Sequence, residues 1–328
     1  MNQQQIRAFF ALNHTRPKKH LGQNFLVNPE ALKIILEAGA VTEGDTVIEI
    51  GAGLGCLTEV VARHAKRVIA VEVDELLYNA LAAHFGVTWR RDEGTLKKSA
   101  ETPKQYAEIP QAKTPSSKNT LQKSTHPHVQ LLNADILKLE FNSLLVDGTG
   151  TVPTTFKVIA NLPYSITTPI LWKLLAHHKQ IHSCVLMMQK EVAERIVAGP
   201  GGKDYGALTI GVGYHAEATL IATLSPDNFY PAPKVDSALL KLEMRDTPKV
   251  AVDNEEFFFK VVRTAFRRRR KMLKNALAKG KFASEEVLAV AFEELNIAPQ
   301  RRAETLDITE FAALANFLAQ SVSAKTGV

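Results

Sequence analysis

The sequence predicts an α/β protein with a Rossmann-like domain over residues 1–247 and a small all-α C-terminal domain over residues 248–328. Three observations lead to this fold class. Short apolar runs alternate with helical patterns, which is typical of a parallel sheet covered by helices. A glycine-rich turn follows the first run, as in the ligand-binding crevices of such sheets. Beyond a linker at residues 245–252, the pattern is helical.

The composition indicates the compartment and the kind of partner. The 328 residues leave room for one sizeable core and a smaller second domain. A net charge of +6 suits a polyanionic partner. The two cysteines, Cys56 and Cys184, lie far apart without metal-ligand spacing, so we expect neither a disulfide nor a metal site. Because no apolar run could span a bilayer and no signal peptide is evident, we expect a cytoplasmic protein without a membrane partner.

The first element with visible chemistry is the predicted strand Thr46–Ile50, which runs into a glycine turn with the spacing G-x-G-x-G at Gly51, Gly53 and Gly55. Glycines at such a turn let the backbone approach a ligand and adopt positive φ. The spacing departs from the G-x-G-x-x-G pattern of dinucleotide enzymes. A nucleoside ligand without a pyrophosphate therefore fits the turn better than NAD does.

Two acidic residues follow the next two predicted strands. The strand Arg67–Glu72 ends in Glu72, about 20 residues past the turn, where a ribose-binding carboxylate belongs. The strand Val129–Asn133 is followed by Asp135, whose carboxylate can accept a hydrogen bond from a cofactor adenine. S-adenosyl-L-methionine (SAM), with its sulfonium methyl donor, is the nucleoside cofactor that suits this arrangement. The alternative is any doubly wound domain with a surface glutamate after its second strand.

The apolar run 156–160 ends in Asn161, Leu162, Pro163 and Tyr164, which look suited to hold an exocyclic amine for methylation. The lone pair of an adenine amine is conjugated into the ring and is poorly placed for attack. The Asn161 side-chain oxygen and the Leu162 carbonyl can each accept an N–H bond and reorient the amine. Tyr164 offers a stacking face that recovers on the order of 1–3 kcal/mol for a flipped base. The alternative is a proline turn with a core tyrosine.

Together these motifs resemble those of the bacterial small-subunit rRNA adenine N6-dimethyltransferases, which are class I SAM-dependent methyltransferases. The resemblance is spread along the chain, at residues 19–26, 51–58, 71–74, 134–137, 161–164 and 231–237 and in the basic segment around Phe266. It implies dimethylation of two adjacent adenosines near the 3′ end of 16S rRNA, within the assembling 30S subunit. We also expect a monomer.

The resemblance further implies roles for individual residues. The residues expected to contact SAM are Asn24, Leu26, Gly51, Gly53, Glu72, Asp135 and Asn161. Asn161 and Tyr164 are also expected to handle the target adenine. Phe229, in a proline-stiffened loop, is expected to offer a second stacking face; a packed core aromatic is the alternative. For residues 23–26, a helix-entry loop before Pro29 explains the sequence equally well.

A dense basic block lies within residues 257–277, where we expect a helix. Its central members are Arg267, Arg268, Arg269, Arg270 and Lys271. On a helix face they would contact RNA phosphates and make binding salt-sensitive. The alternative is a solubilising surface.

Residues 88–127 form an insertion rich in Lys, Thr, Ser, Gln and Pro, for which we expect disorder. Its basic residues either add phosphate contacts or belong to a solvated loop. Elsewhere the pattern predicts helices at 74–85, 169–175 and Lys190–Val197, and strands at 183–189 and 237–243.

Two other functions fit the same fold. One is the antibiotic-resistance type of methyltransferase, which acts on adenine in 23S rRNA. The other is a non-catalytic ribosome-assembly factor, against which the intact Glu72, Asp135 and Asn161 argue.

Overall fold

In the computed structural model of the chain, residues 1–86, 128–145, 155–280 and 283–326 are described. The insertion predicted at residues 88–127 lies outside them. The strands of the described residues are β1 (Phe25–Leu26), β2 (Thr46–Ile50), β3 (Arg67–Glu72), β4 (Val129–Asn133), β5 (Phe156–Asn161), β6 (Ile181–Gln189), β7 (Ala216–Leu224), β8 (Phe229–Tyr230) and β9 (Ser237–Met244). The α-helices of the same residues are α1 (Gln3–Leu12), α2 (Pro29–Gly39), α3 (Cys56–Ala62), α4 (Glu75–Phe85), α5 (Phe141–Leu145), α6 (Thr167–Ala176), α7 (Lys190–Val197), α8 (Ala207–His215), α9 (Glu255–Phe266), α10 (Leu273–Ala278), α11 (Glu285–Glu294) and α12 (Ile308–Thr326).

Seven strands form the central sheet in the order β4–β3–β2–β5–β6–β9–β7. The first five are parallel, and β9 runs antiparallel to both of its neighbours. Every residue of β2 is buried, because helices cover both faces of the sheet. The predicted Rossmann-like class is confirmed, and the carboxyl ends of β2, β3 and β5 meet at one edge.

Separate apolar cores lie on the two faces of the sheet. Helices α2, α3 and α4 cover one face, with Ile35, Val61 and Phe85 among the buried residues. Helices α5 to α8 contribute to the other core, which includes Leu171 and Ile196. The predicted helix at 74–85 is α4, which begins after Asp74 because the Asp74 side chain caps Leu76 N. The other predicted helices and strands match α6, α7, β6 and β9 within two residues at each end.

A small antiparallel ladder joins the N-terminal region to the loop before β9. β1 pairs with β8, with Phe25 opposite Tyr230 and Leu26 opposite Phe229. Helix α1 packs Phe9 and Phe10 into a cluster with Phe25. The chain before Pro29 is thereby anchored beside the glycine turn.

The C-terminal helices share an apolar core with α8. Tyr205 and Tyr214 from the region around α8 join Phe258 and Phe311 in that core. The domain boundary at 247/248 stays a prediction. Among the described residues, no helix is both long enough and apolar enough to cross a membrane.

The predicted continuous helix over 257–277 is wrong. α9 ends at Phe266, and the basic block forms a turn before α10 begins at Leu273. Like charges three and four residues apart destabilise a helix, and the block from Arg267 to Lys271 contains such pairs. The basic residues therefore lie on a turn between two helices, not on a helix face.

Candidate active site

The glycine turn after β2 is held against the end of β3. The N–H groups of Gly51 and Ala52 both donate to the carbonyl of Val71, at 2.8 and 3.2 Å. Gly51, Gly53 and Gly55 have φ values of +76°, +60° and +84°. A Cβ atom at Gly53 would lie 3.2 Å from the Phe25 ring, so both the backbone conformation and the close packing require glycine.

Glu72 at the end of β3 joins this strand to the turn. Its Oε2 atom accepts from Gly53 N at 2.8 Å, and its Oε1 atom accepts from Asp74 N at 2.8 Å. The residue is 5 % exposed. Burial raises the pKa of Glu72, and the two N–H donors act against that rise. Each carboxylate oxygen keeps a second lone pair, so Glu72 can still accept ligand hydroxyls.

Residues 18–24, which we call the clasp, are fixed on one side by Asp74. Gln23 Nε2 donates to Asp74 Oδ2 at 2.7 Å, and Lys18 Nζ lies 3.0 Å from the same oxygen. Lys18 N in turn donates to Gln23 Oε1 at 2.7 Å. Burial opposes ionisation of Asp74, whose side chain is 2 % exposed, but the bonds from Lys18 and Gln23 hold its pKa below the usual range. A charged, nearly buried carboxylate thus secures the clasp.

On its other side the clasp contacts the segment after β5. Asn161 Nδ2 donates to the Asn24 carbonyl at 2.9 Å. Gly22 has a φ of +66°, and a Cβ atom there would lie 3.1 Å from Pro163 Cβ and 3.3 Å from Tyr164 N. The clasp therefore spans the crevice from the end of β3 to the residues expected to hold the target amine.

Residues 161–164 are themselves tightly held. Leu162 N donates to Met187 O of β6 at 2.9 Å. The Tyr164 hydroxyl lies 2.6 Å from the hydroxyl of Ser237 on β9, and burial raises the Tyr164 pKa. Since Asn161 uses its amide nitrogen on the clasp, its Oδ1 atom is the part of the carboxamide left to accept a bond. This is the orientation that amine binding needs.

Most of the expected cofactor residues line a single crevice between the clasp and the sheet edge, namely Asn24, Leu26, Gly51, Gly53, Glu72 and Asn161. Asp135 is not among the lining residues. It follows β4, its Oδ1 atom accepts from Leu137 N at 3.0 Å, and the neighbouring Ala134 N donates to Glu72 O. Asp135 therefore stands beside the crevice, close to the end of β3.

The structure does not present Phe229 as a second stacking face. The residue is 3 % exposed and packs in the core on the α2–α4 side of the sheet. Pairing of β8 with β1 places Phe229 opposite Leu26, which fixes the ring in that core. The expectation from the sequence is corrected here: the ring belongs to the core.

All five residues of the basic turn, Arg267 to Lys271, are exposed. Arg269 differs, because its guanidinium donates to the carbonyls of Lys203 and Tyr205 and lies 3.8 Å from Glu304. It ties the turn to the chain before α8, while the other four side chains extend from the turn.

Sequence reasoning missed two contributors to the crevice. Glu49 lines it from the next-to-last position of β2, and Asp74 anchors the clasp. An acid inside an apolar strand was a usable signal for Glu49. No signal marked the pairing of Asp74 with Lys18 and Gln23, because contacts over about 50 residues depend on the tertiary fold.

The fold and site define a class: a Rossmann-like methyltransferase with a glycine-turn crevice for a nucleoside cofactor. The family model for ribosomal RNA adenine dimethylase matches residues 14–92 and 108–320. The chain belongs to this family, and it is therefore a SAM-dependent enzyme that methylates rRNA.

Curated relatives and solved structures agree with the family match. A ribosomal RNA small subunit methyltransferase A from Alkaliphilus oremlandii is 40 % identical over 309 residues, covering 93 % of this chain and 92 % of the relative. Its counterpart from Moorella thermoacetica is 41 % identical over 306 residues and covers 92 % of each chain. A dimethyladenosine transferase from Plasmodium falciparum superposes with a TM-score of 0.65 at 24 % identity, covering 88 % of this chain and 95 % of that one. The 23S rRNA methyltransferase ErmE superposes with a TM-score of 0.60 at 21 % identity, covering 90 % of this chain and 100 % of that one. At these identities the two structures support the fold alone.

Proposed function

We propose that this protein is a cytoplasmic, monomeric rRNA adenine N6-dimethyltransferase that modifies two adjacent adenosines near the 3′ end of 16S rRNA in the assembling 30S subunit. The observation that carries the proposal is the orientation of Asn161, whose nitrogen is bonded to Asn24 while its oxygen stays available beside the crevice. The choice of small-subunit rRNA is supported by the near-full-length similarity to small subunit methyltransferases A.

The crevice residues suit SAM. Gly51 and Gly53 hold the turn in a positive-φ conformation along the crevice wall, and Glu72 can accept the ribose hydroxyls. Asn24, Leu26 and Asn161 complete the walls, and Asp135 beside the crevice is suited to the adenine amine. When bound, SAM supplies an electrophilic methyl group at its sulfonium.

The protein's own part in the transfer is alignment. The flipped target adenine stacks on Tyr164, while Asn161 Oδ1 and the Leu162 carbonyl accept the two N–H bonds of its N6 amine. These bonds turn the nitrogen lone pair out of conjugation and stabilise the charge that develops on N6. The methylated N6 cation is acidic and loses its proton to water, so no dedicated general base is required.

The basic turn positions the RNA. Arg267, Arg268, Arg270 and Lys271 contact phosphates, which fix the register of the RNA without reading its sequence. Arg269 supports the turn through its bonds to residues 203–205. Selection of the target base then occurs where the extruded base stacks on Tyr164.

The direct test is methylation of purified 30S and 50S subunits from a strain that lacks the modification, with the full-length protein and SAM. Mass spectrometry of RNA fragments then locates the methyl groups. We expect paired N6,N6-dimethyladenosines in 16S rRNA. Modification confined to 23S rRNA would reassign the enzyme to the resistance type, and RNA binding without methyl transfer would favour an assembly factor.

A further inference from the structure

Glu49 is a buried acid at the wall of the crevice. It lies in β2 between the apolar residues Ile48 and Ile50, and it is 1 % exposed. It lines the crevice together with Gly51, Gly53 and Glu72. Its Oε2 atom has no hydrogen-bond partner among the described residues. An orphaned carboxylate oxygen in such a place is costly, unless a ligand supplies the missing partner.

The groups around Glu49 favour its neutral form in the free protein. Burial, aided by the negative charge of Glu72 on β3, raises the pKa of Glu49 to about 8. Thr58 on α3 favours the ionised form through its side chain and its backbone N–H, yet Glu49 Oε2 is left without a hydrogen-bond partner among the described residues. The Cys56 thiol, whose own pKa is raised by burial, also faces Glu49; Glu59 and the chain's α-amino group face that thiol.

Glu49 and Glu72 differ in how they are solvated. Glu72 receives two backbone N–H bonds, which stabilise its charge. For Glu49 the only donors that favour the ionised form come from Thr58, and its Oε2 atom stays unpaired, so Glu49 is the carboxyl group that holds a proton in the free protein. The ligand of the crevice carries positive charge at its sulfonium and at its ammonium group, either of which can stabilise a second carboxylate.

We propose that Glu49 is a cofactor-binding residue that faces a cationic group of SAM and ionises when SAM binds, so that binding releases one proton to the solvent. The carboxylic O–H bond breaks, the electron pair stays on the carboxylate, and the proton passes to buffer. This inference rests on the placement of SAM in this crevice, which belongs to the proposed function.

The release of a proton determines how the affinity for SAM depends on pH. Below about pH 8 the free protein holds a proton that the complex has released, so the affinity for SAM rises with pH. The dissociation constant should fall by about tenfold per pH unit and level off above the pKa of the free protein.

The test is isothermal titration calorimetry of the full-length protein with SAM at pH 7, in buffers of different ionisation enthalpy. The slope of observed enthalpy against ionisation enthalpy gives the number of protons released. For the wild type we expect the release of close to one proton per SAM bound, and for Glu49→Gln a number lower by nearly one. At pH 8 the Glu49→Gln variant should also bind SAM about tenfold more weakly than the wild type. Glu49→Asp, which keeps an ionisable group, should restore part of the release. Glu59→Gln, the same change on an α3 glutamate that does not line the crevice, should leave the number of released protons unchanged.

S-adenosylhomocysteine, which lacks the sulfonium but keeps the ammonium, identifies the facing charge. If both ligands cause proton release, Glu49 faces the ammonium group. If only SAM causes proton release, Glu49 faces the sulfonium. Equal slopes for the wild type and a folded Glu49→Gln variant would overturn the inference, as would SAM binding to the wild type without proton release. Either of these results would leave the proposed methyltransferase function intact. Failure of SAM to bind at all would instead contradict the proposed cofactor site, and the Glu49 inference would fail with it.

Discussion

At the scale of single residues, the site depends on how each buried polar group is paired. Asp74 and Glu72 accept bonds from backbone or side-chain donors, and Asn161 donates to the clasp. Glu49 keeps an unpaired oxygen. These differences, rather than residue type, decide which acid is charged and which amide oxygen can bind substrate.

Removing the acid at position 49 should change how stability depends on pH. The pKa of Glu49 lies near 8 in the folded state, above the ordinary value of 4.5, so its contribution to stability is lost as pH rises from about 4.5 to 8. Cofactor-free Glu49→Gln should therefore gain stability relative to the wild type across this window, by at most about 5 kcal/mol. Urea unfolding at pH 5 and pH 8 measures the effect. An equal difference at both pH values would show that Glu49 does not titrate in this range.

Substitution of Asn161 tests the alignment of the amine. Asn161→Ala removes one of the two acceptors for the N6 N–H bonds, so we expect kcat to fall on the order of 100-fold or more. Single-turnover methylation of 30S subunits at saturating SAM measures the chemical step. Asn142→Ala, an exposed position on α5, is the control and should retain the wild-type rate. A near-normal rate for Asn161→Ala would exclude the assigned role.

Residue roles were only partly predictable from the sequence. Glu72 and Asn161 follow strands at recognisable positions, and both line the crevice as expected. The burial of Phe229 depends on the pairing of β8 with β1, which brings together residues about 200 positions apart. No local pattern encodes that pairing, and the same is true of the bonds between Asp74 and the clasp.

At the scale of elements, the clasp is the segment that joins the cofactor side of the crevice to the amine side. Its Lys18 and Gln23 side chains bind Asp74. Its Asn24 carbonyl accepts from Asn161, and its Gly22 packs closely on Pro163. Apolar strand patterns predicted β2 to β6 because buried parallel strands are continuous apolar runs. Helix α8 and strand β7 were not predicted; the exposed residues of β7 at the sheet edge give no strong pattern.

Weakening the anchor of the clasp should lower the affinity for SAM without changing the chemical step. Asp74→Asn keeps an oxygen that can cap α4 but loses the ion pair with Lys18, and we expect about a tenfold increase in the KM for SAM with little change in kcat. Steady-state kinetics with varied SAM separates the two constants. Asp253→Asn, an exposed aspartate before α9, is the matched control. A loss confined to kcat would contradict a positioning role for Asp74.

The basic turn should govern the salt dependence of RNA binding. Arg267→Ala combined with Arg268→Ala removes two phosphate contacts, so the slope of log K against log salt should become shallower by roughly 1.4–1.8. The control pair, Lys66→Ala with Lys179→Ala, removes the same amount of charge. These two exposed lysines precede β3 and β6, at the edge of the sheet opposite the crevice. Filter binding of a 16S fragment between 50 and 300 mM salt compares them. Identical slopes for the two double variants would show that the turn does not contact phosphates.

At the scale of the whole molecule, the C-terminal helices and the sheet domain are packed together. Trp172 of α6 contacts Phe259 of α9 with ring centroids 6.1 Å apart, and Arg269 bonds to the chain before α8. The basic turn is thereby fixed relative to the domain that holds the crevice. The net charge of +6 predicted a polyanionic partner, but only the fold shows which basic residues extend from the surface.

The most direct test of the central claim is complementation of a bacterial strain that lacks the 16S dimethyladenosines, with mass spectrometry of its rRNA. We expect the wild-type chain to restore N6,N6-dimethylation at two adjacent adenosines near the 3′ end of 16S rRNA, and 23S rRNA to stay unchanged. Soluble, well-expressed protein that leaves 16S rRNA unmethylated, or that methylates 23S rRNA instead, would contradict the claim.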